Sequence, residues 1–213
     1  MRILLLHMSD FHTPEPFYYN RTKIDRFVEA IRVCGQFDNC IIAFSGDMTQ
    51  SSKAEEYANA KRTFGCLIHA IKDKYKIAYI PVFSVPGNHD ICLNSDSRKR
   101  EQIQEYLDSG TADQHLTDEF ALMDEYFSKD IATNRIWNDR LIYKRNYEIG
   151  DYHIQLNLIN TAPFSTLEPD DKQLHYFPDG KLYLLARNAN ADICITMMHH
   201  GIEWFDWQSK KNL

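Results

Sequence analysis

Three short segments carry the residue types that hold divalent cations: Asp10-Phe11-His12, Gly46-Asp47 and Gly87-Asn88-His89-Asp90. A fourth, His199-His200, stands near the C-terminal end of the sequence. Carboxylate oxygens, a carboxamide oxygen and neutral imidazole nitrogens can share ions such as Mn²⁺, Fe²⁺ or Zn²⁺. Taken singly, the first two have plainer readings, as an aspartate capping a turn beside an unrelated histidine and as an ordinary strand-to-loop turn. The third is harder to reduce to a turn, because it packs a neutral oxygen, an imidazole and a carboxylate behind Pro86-Gly87. Gly46 and Gly87 permit tight turns and close backbone approach. If Asp10 to His12 stays extended, both side chains point to one side.

What positions these residues is legible in the hydropathy. Apolar runs of strand length occur at Ile3–Met8, Cys40–Phe44, Ile77–Val85, Tyr152–Ile159 and Ile193–Met198, and each of the four segments follows one of them. Two stretches between the early runs are spaced as helices: Lys23–Val33, with Ile24, Phe27, Val28 and Ile31, and Lys53–Lys74, with Tyr57, Ala60, Phe64, Leu67, Ile68 and Ile71. Strands joined by helices are parallel and bring their C-terminal ends to one edge, where open α/β sheets carry their chemistry. The stretch about 95–130 reads as a helical insertion. Leu141–Lys144 and His153–Leu158 around Gly150-Asp151 read as a hairpin opening a second, more antiparallel sheet.

Together these segments resemble the calcineurin-like metallophosphoesterase family, whose pattern runs D-x-H, G-D, G-N-H-[DE], a later histidine and a closing G-x-H-x. The resemblance implies an α/β fold of two facing mixed β-sheets flanked by helices, a four-layer α/β/β/α sandwich, as one domain over residues 1–213. It implies two divalent metal ions: Asp10 and His12 on one, Asp47 bridging both, Asn88 on the second, and His199 in the place of the later histidine. The implied reaction is hydrolysis of a phosphomonoester or phosphodiester by hydroxide made from water between the two ions. His89 would sit near the leaving oxygen and donate a proton, and Asp90 would orient and polarise its ring. His200, facing the other way if the backbone stays extended, reads as structural or substrate-facing. Gly201 stands where the family usually has proline.

No G-x-H-x follows His199, so the chain is expected to be a C-terminally truncated form of the domain, with weaker metal binding than a version that has the motif. Trp204, Phe205 and Trp207 have little sequence after them to cover them. Those features motivate a rival reading: a weak or inactive module that keeps the fold and acts through a protein partner.

Composition narrows the setting. No apolar run approaches the length of a membrane span, and the N-terminus has neither a signal-peptide core nor a cleavage site. Five cysteines form no C-x-x-C pair, which fits reduced thiols and a cytoplasmic location. With 24 Lys and Arg against 30 Asp and Glu the net charge is −6, which argues against a general grip on nucleic acid without excluding a metal-dependent nuclease acting on nucleic-acid ends. Nucleotides and other phosphate esters stay open as substrates. Arg98-Lys99-Arg100 reads as a solvated helix start. Phe17-Tyr18-Tyr19 could stack on a base or cover the core. His7, His69, His115, His153 and His175 lie outside the motif; of these, His115 and His175 could approach the site from loops.

Overall fold

Strand β2 (Asn39–Ser45) alternates between two cores, and its alternation sets the layering. Cys40, Ile42 and Phe44 point to a helical layer, while Ile41 and Ala43 point to a second sheet; all five are buried. The computed structural model describes residues 1–13, 21–92, 98–123, 125, 137–138, 140–167 and 171–213. Among them β1 (Ile3–Met8), β2 and β3 (Val82–Val85) form a parallel sheet in the order β1-β2-β3, with Leu5 opposite Ile41 and Ala43 opposite Phe83. Helices α1 (Arg21–Ala30) and α2 (Ala54–Tyr75) make the crossovers that parallel pairing requires. They bury Ile24, Val28, Tyr57, Phe64, Leu67 and Ile71 on the sheet's outer face, each worth about 1.5–3 kcal/mol of transfer free energy.

At the start of α2 the buried Glu56 side chain accepts from the Ser51 and Lys53 amides, satisfying donors that a helix start leaves open. The helix ends at Lys76, whose φ of 57° is left-handed. That ending corrects the expected strand Ile77–Val85, of which only Val82–Val85 is extended in the ladder. Pro81 has no N–H for pairing, and contributes only its carbonyl, to Ile42. Ile77 and Ile80 still bury their side chains, as coil.

The second sheet runs β4 (Trp137–Asn138), β5 (Ile142–Ile149), β6 (Tyr152–Ile159) and β7 (Ile193–Met198) in spatial order. It is mixed: β4-β5 and β5-β6 are antiparallel and β6-β7 is parallel. The β5-β6 hairpin turns at Gly150-Asp151, where Gly150 has a φ of 59°. Ile154, Leu156, Leu158 and Met197 face Ile41, Ala43, Phe83 and Val85 of the first sheet. Behind the second sheet the covering layer is a 3-10 segment, Asp179–Leu185, followed by Ala186. Buried Gln155 and Asn157 donate to the Ala186 and Leu185 carbonyls there, so hydrogen bonds join the apolar packing of Leu182, Leu184 and Leu185 in holding this segment.

Within the stretch about 95–130 the described residues form α3 (Lys99–Ser109), α4 (Ala112–Leu116) and the short α5 (Ala121–Met123), while 95–97, 124 and 126–130 lie outside the described residues. These elements close the first core with Ile103, Leu107, Leu116 and Phe120 against Phe164, Phe177 and Phe205. The last helix, α6 (Trp207–Asn212), is capped by Asp206, which accepts from the Ser209 amide. Of the aromatics near the end, Phe205 is buried, while Trp207 is 73% exposed. No helix among the described residues is long and apolar enough to cross a membrane.

Candidate metal centre

Beyond the ends of β1, β2 and β3 the chain turns sharply. Asp10, His12 and Asp47 all have positive φ, at 57°, 43° and 58°, a region that costs non-glycine residues free energy and is kept only where surroundings enforce it. The enforcement is a backbone ladder: the Asp10 amide donates to the Gly46 carbonyl, His12 to Asp47 and Thr13 to Met48. Asp10 and His12 therefore converge through left-handed turns, not through the extended alternation expected from the sequence. Their side chains lie 3.6 Å apart, His12 Nε2 to Asp10 Oδ1.

Asp47 is the hub. Its Oδ1 accepts from the His89 amide, and its Oδ2 lies 3.5 Å from both His12 Nε2 and His199 Nε2. Gly46 and Gly87 make the approach possible. A Cβ on Gly87 would collide with the Asp47 carboxylate, and one on Gly46, at φ 92°, would come 2.7 Å from His199 Nδ1.

The hydrogen-bond directions around His199 fit a cation. Its Nδ1 is 2.6 Å from the Ser45 carbonyl, which can only accept, so the proton sits on Nδ1 and a neutral ring offers a lone pair at Nε2. That lone pair faces Asn88 Oδ1 at 3.1 Å and Asp47 Oδ2 at 3.5 Å. A carboxylate oxygen, an imidazole nitrogen and a carboxamide oxygen brought together in this way can share a divalent cation. Likewise His89 Nδ1 donates to the Gln50 carbonyl, which leaves its Nε2 free. One ligand atom each from His12, Asp47 and His89 lies within 4.8 Å of the others, a spacing that suits a metal ion. His12 Nδ1 is buried with no hydrogen-bond partner among the described residues. The donor set of carboxylate, imidazole and carboxamide suits a borderline divalent ion.

Asp90 does not do what the sequence suggested. The partner of His89 Nδ1 is the Gln50 carbonyl, whereas the Asp90 carboxylate turns inward and binds backbone. Oδ1 accepts from the Met48 and Thr49 amides, both at 2.9 Å, and from Thr49 Oγ1; Oδ2 accepts from the Gly87 amide at 3.0 Å. The 3-10 turn over Asn88–Asp90 aims the carboxylate that way. Asp90 thus ties the loop after β2 to the loop after β3. Burial pushes its carboxyl above the usual range, against the pull of the Gly87 and Thr49 amides, and the neighbouring Asp47 charge adds to the rise.

His200 packs into the 161–165 loop, with Nδ1 2.8 Å from Thr161 Oγ1. Burial, with His175 and His199 nearby, pushes its pKa down to about 2, so it is neutral. His175 is fully buried behind His200, with ring centroids 4.3 Å apart and the rings tilted by 57°, and it is not among the residues that line the cavity. Burial and the Arg100 charge push it down to about 4. His7 bonds Ser45 Oγ on exposed β1, His115 stacks on Tyr106, and His69 and His153 lie away from the site. Phe17, Tyr18 and Tyr19 lie outside the described residues.

A cavity of about 360 Å³ opens over these groups, lined by Asp10, His12, Asp47, Asn88, His89 and His199. Thr166, Asp171, His200 and Trp204 line it as well. Sequence reasoning missed Thr166 and Asp171, since no motif marks them; only the fold returns the segment after β6 to the ends of β2 and β3.

The family model described as calcineurin-like phosphoesterase matches residues 3–213. The comparison with curated proteins finds no match. Among solved structures the chain is similar to one described as "Putative 5'-Nucleotidase from Staphylococcus aureus", crystallised with alpha-ketoglutarate, at 16% identity and a TM-score of 0.40. That match covers 94% of this chain and 38% of the other, so the chain spans well under half the length of that protein.

Proposed function

Because the chain belongs to the calcineurin-like phosphoesterase family, and so to a group of metal-dependent phosphoester hydrolases, we propose that it hydrolyses a phosphomonoester or phosphodiester at a two-metal site within a single domain. The observation that carries this reading is the convergence at the strand ends of a carboxylate oxygen, an imidazole nitrogen and a carboxamide: His199 Nε2 lies 3.5 Å from Asp47 Oδ2 and 3.1 Å from Asn88 Oδ1. Asp10 and His12 would hold one ion and Asn88 and His199 the other, with Asp47 Oδ2 shared. When bound, such ions supply Lewis acidity, lowering the pKa of water and neutralising phosphate oxygens.

The remaining work belongs to this chain's own residues. Asp47 Oδ1 is engaged by the His89 amide, which fixes the carboxylate so that only Oδ2 is offered. His89 would act as a catalytic residue: with Nδ1 donating to the Gln50 carbonyl, its Nε2 would give a proton to the leaving oxygen from the doubly protonated ring, the only form in which both nitrogens donate. Asp90 would serve as a positioning residue that locks the two ligand loops together. Ser45, through its carbonyl, sets the tautomer and tilt of His199.

The test is turnover of 4-nitrophenyl phosphate and bis(4-nitrophenyl) phosphate by the full chain after loading with Mn²⁺, Fe²⁺ or Zn²⁺. Expected are activity lost on chelation and restored by metal, and a His89→Asn variant impaired more on an alkyl ester than on a nitrophenyl ester, whose leaving group needs no proton. Inertness of a chain shown to carry its full metal complement would favour a non-catalytic, partner-binding role for the fold.

A further inference from the structure

Three aspartates line the cavity over the proposed metal ligands: Asp10, Asp47 and Asp171. A phosphate ester is an anion, so each uncompensated carboxylate beside it weakens binding. Cations held by Asp10 and Asp47 would compensate those two. Asp171 stands outside the cluster of His12, Asp47 and His89, and its compensation comes from the protein. Its Oδ1 is paired with Nη2 of Arg100, a residue of α3. Its Oδ2 lies 3.5 Å from Nε2 of His175, a ring that burial keeps neutral. Among the described residues, the guanidinium is therefore the charge that balances Asp171.

Arg100 also ties this part of the lining together. Its Nε donates to the Phe164 carbonyl and its Nη2 to Thr166 Oγ1, each at 2.9 Å. Thr166 in turn donates to Asp171 Oδ1, from its amide at 3.2 Å and from Oγ1 at 3.1 Å. One side chain of α3 thus holds Phe164, Thr166 and Asp171, and the last two line the cavity. Arg100 is not the solvated residue expected of a basic helix start: its side chain is 17% exposed and that of Asp171 15%. An ion pair so enclosed adds little net stability, since desolvating both groups offsets most of their attraction. Removing one partner, however, leaves the other charge uncompensated. Here that charge would be a carboxylate on the cavity lining.

We propose that Arg100 is a positioning residue of the phosphoesterase site: reaching from α3, it fixes Thr166 and Asp171 and cancels the Asp171 charge, so that an anionic ester can occupy the cavity. Arg100 is not itself among the lining residues and acts through Asp171. This inference rests on the phosphoesterase reading above, and it makes α3 a part of the substrate site as well as of the core.

The experiment uses the metal-loaded full chain at low ionic strength, where charge effects are least screened. It measures KM and kcat for 4-nitrophenyl phosphate and, by calorimetry, the Kd for inorganic phosphate. Arg100→Gln should raise KM and the phosphate Kd at least about tenfold, with the effect falling on KM more than on kcat. The double variant Arg100→Gln/Asp171→Asn should return both to within about threefold of the parent. A structural clamp alone predicts the reverse, because the double variant lacks both halves of the pair. Asp171→Asn by itself leaves the guanidinium uncompensated and should bind phosphate at least as tightly as the parent, a result that requires no Arg100 variant to fold. An unchanged KM in a folded Arg100→Gln, a double variant that is not rescued, or weaker phosphate binding by Asp171→Asn would each overturn the proposal. If the parent carries its full metal complement and turns nothing over, the phosphoesterase reading has failed, and the phosphate affinities alone decide the role of Arg100.

Discussion

Replacing Asp90 by asparagine keeps the shape of the side chain but halves its accepting capacity. The surviving carbonyl oxygen can serve the Met48 and Thr49 amides. The new NH₂ then faces the Gly87 amide, a donor against a donor where Oδ2 accepted at 3.0 Å. A buried donor left without its partner costs about 1–3 kcal/mol. Relief of burying a charge beside Asp47, which pushes the Asp90 carboxyl upward, offsets part of that, so the net loss should be about 1–2 kcal/mol. Alanine strips the acceptor from all three amides and leaves a void, for about 3–6 kcal/mol, a large share of the 5–15 kcal/mol that holds typical domains together. Urea unfolding in chelator, read as a shift in midpoint at constant slope, measures both. Amide exchange should rise most at Met48, Thr49 and Gly87. An Asp90→Asn variant within about 0.5 kcal/mol of the parent, or an alanine variant no worse than the asparagine, would refute the idea that this carboxylate clamps the two loops.

Two further outcomes follow from the same geometry. Gly87→Ala puts a methyl against the Asp47 carboxylate and 2.5 Å from its backbone nitrogen, so metal affinity, read by competition with a chelating dye, should fall at least about tenfold (about 1.4 kcal/mol) while far-ultraviolet dichroism stays unchanged; unchanged affinity would mean that the loops do not approach so closely. His175 sits at about 4 against an ordinary 6.5 because burial disfavours its charged form, so the stability gained by keeping it neutral is complete above about pH 6.5 and is lost as pH falls toward 4. His175→Phe should therefore flatten the decline in stability between pH 7 and pH 5 by about 1–2 kcal/mol; an identical slope in the variant would contradict it.

The elements that bear the site were readable from sequence because their patterns are strong. Ile3–Met8, Tyr152–Ile159 and Ile193–Met198 are strands over the expected residues, and Phe64, Leu67 and Ile71 gave α2 through their spacing. Failures came where local backbone geometry overrides pattern. Pro81 and the left-handed Lys76 shorten β3, which hydropathy alone cannot register. The left-handed turns at Asp10 and His12 are imposed by hydrogen bonds to Gly46 and Asp47, more than thirty residues away in sequence, so no local reading could find them. Motif spacing brought His89 and Asp90 to the right place but could not choose between Asp90 and the Gln50 carbonyl as the partner of the His89 ring, because a 3-10 turn decides that choice. Asp171 and Thr166 carry no motif, and their place on the cavity wall follows from tertiary return alone.

The central claim is that Asp47 Oδ2 is shared between two cations, and metal stoichiometry tests it most directly. Elemental analysis of the reconstituted chain should give two divalent ions per chain, and Asp47→Asn, which leaves one neutral oxygen between His12 and His199, should lose both ions together with turnover. An unmodified chain that binds a single ion, or an Asp47→Asn variant that keeps its metal content and activity, would contradict the account.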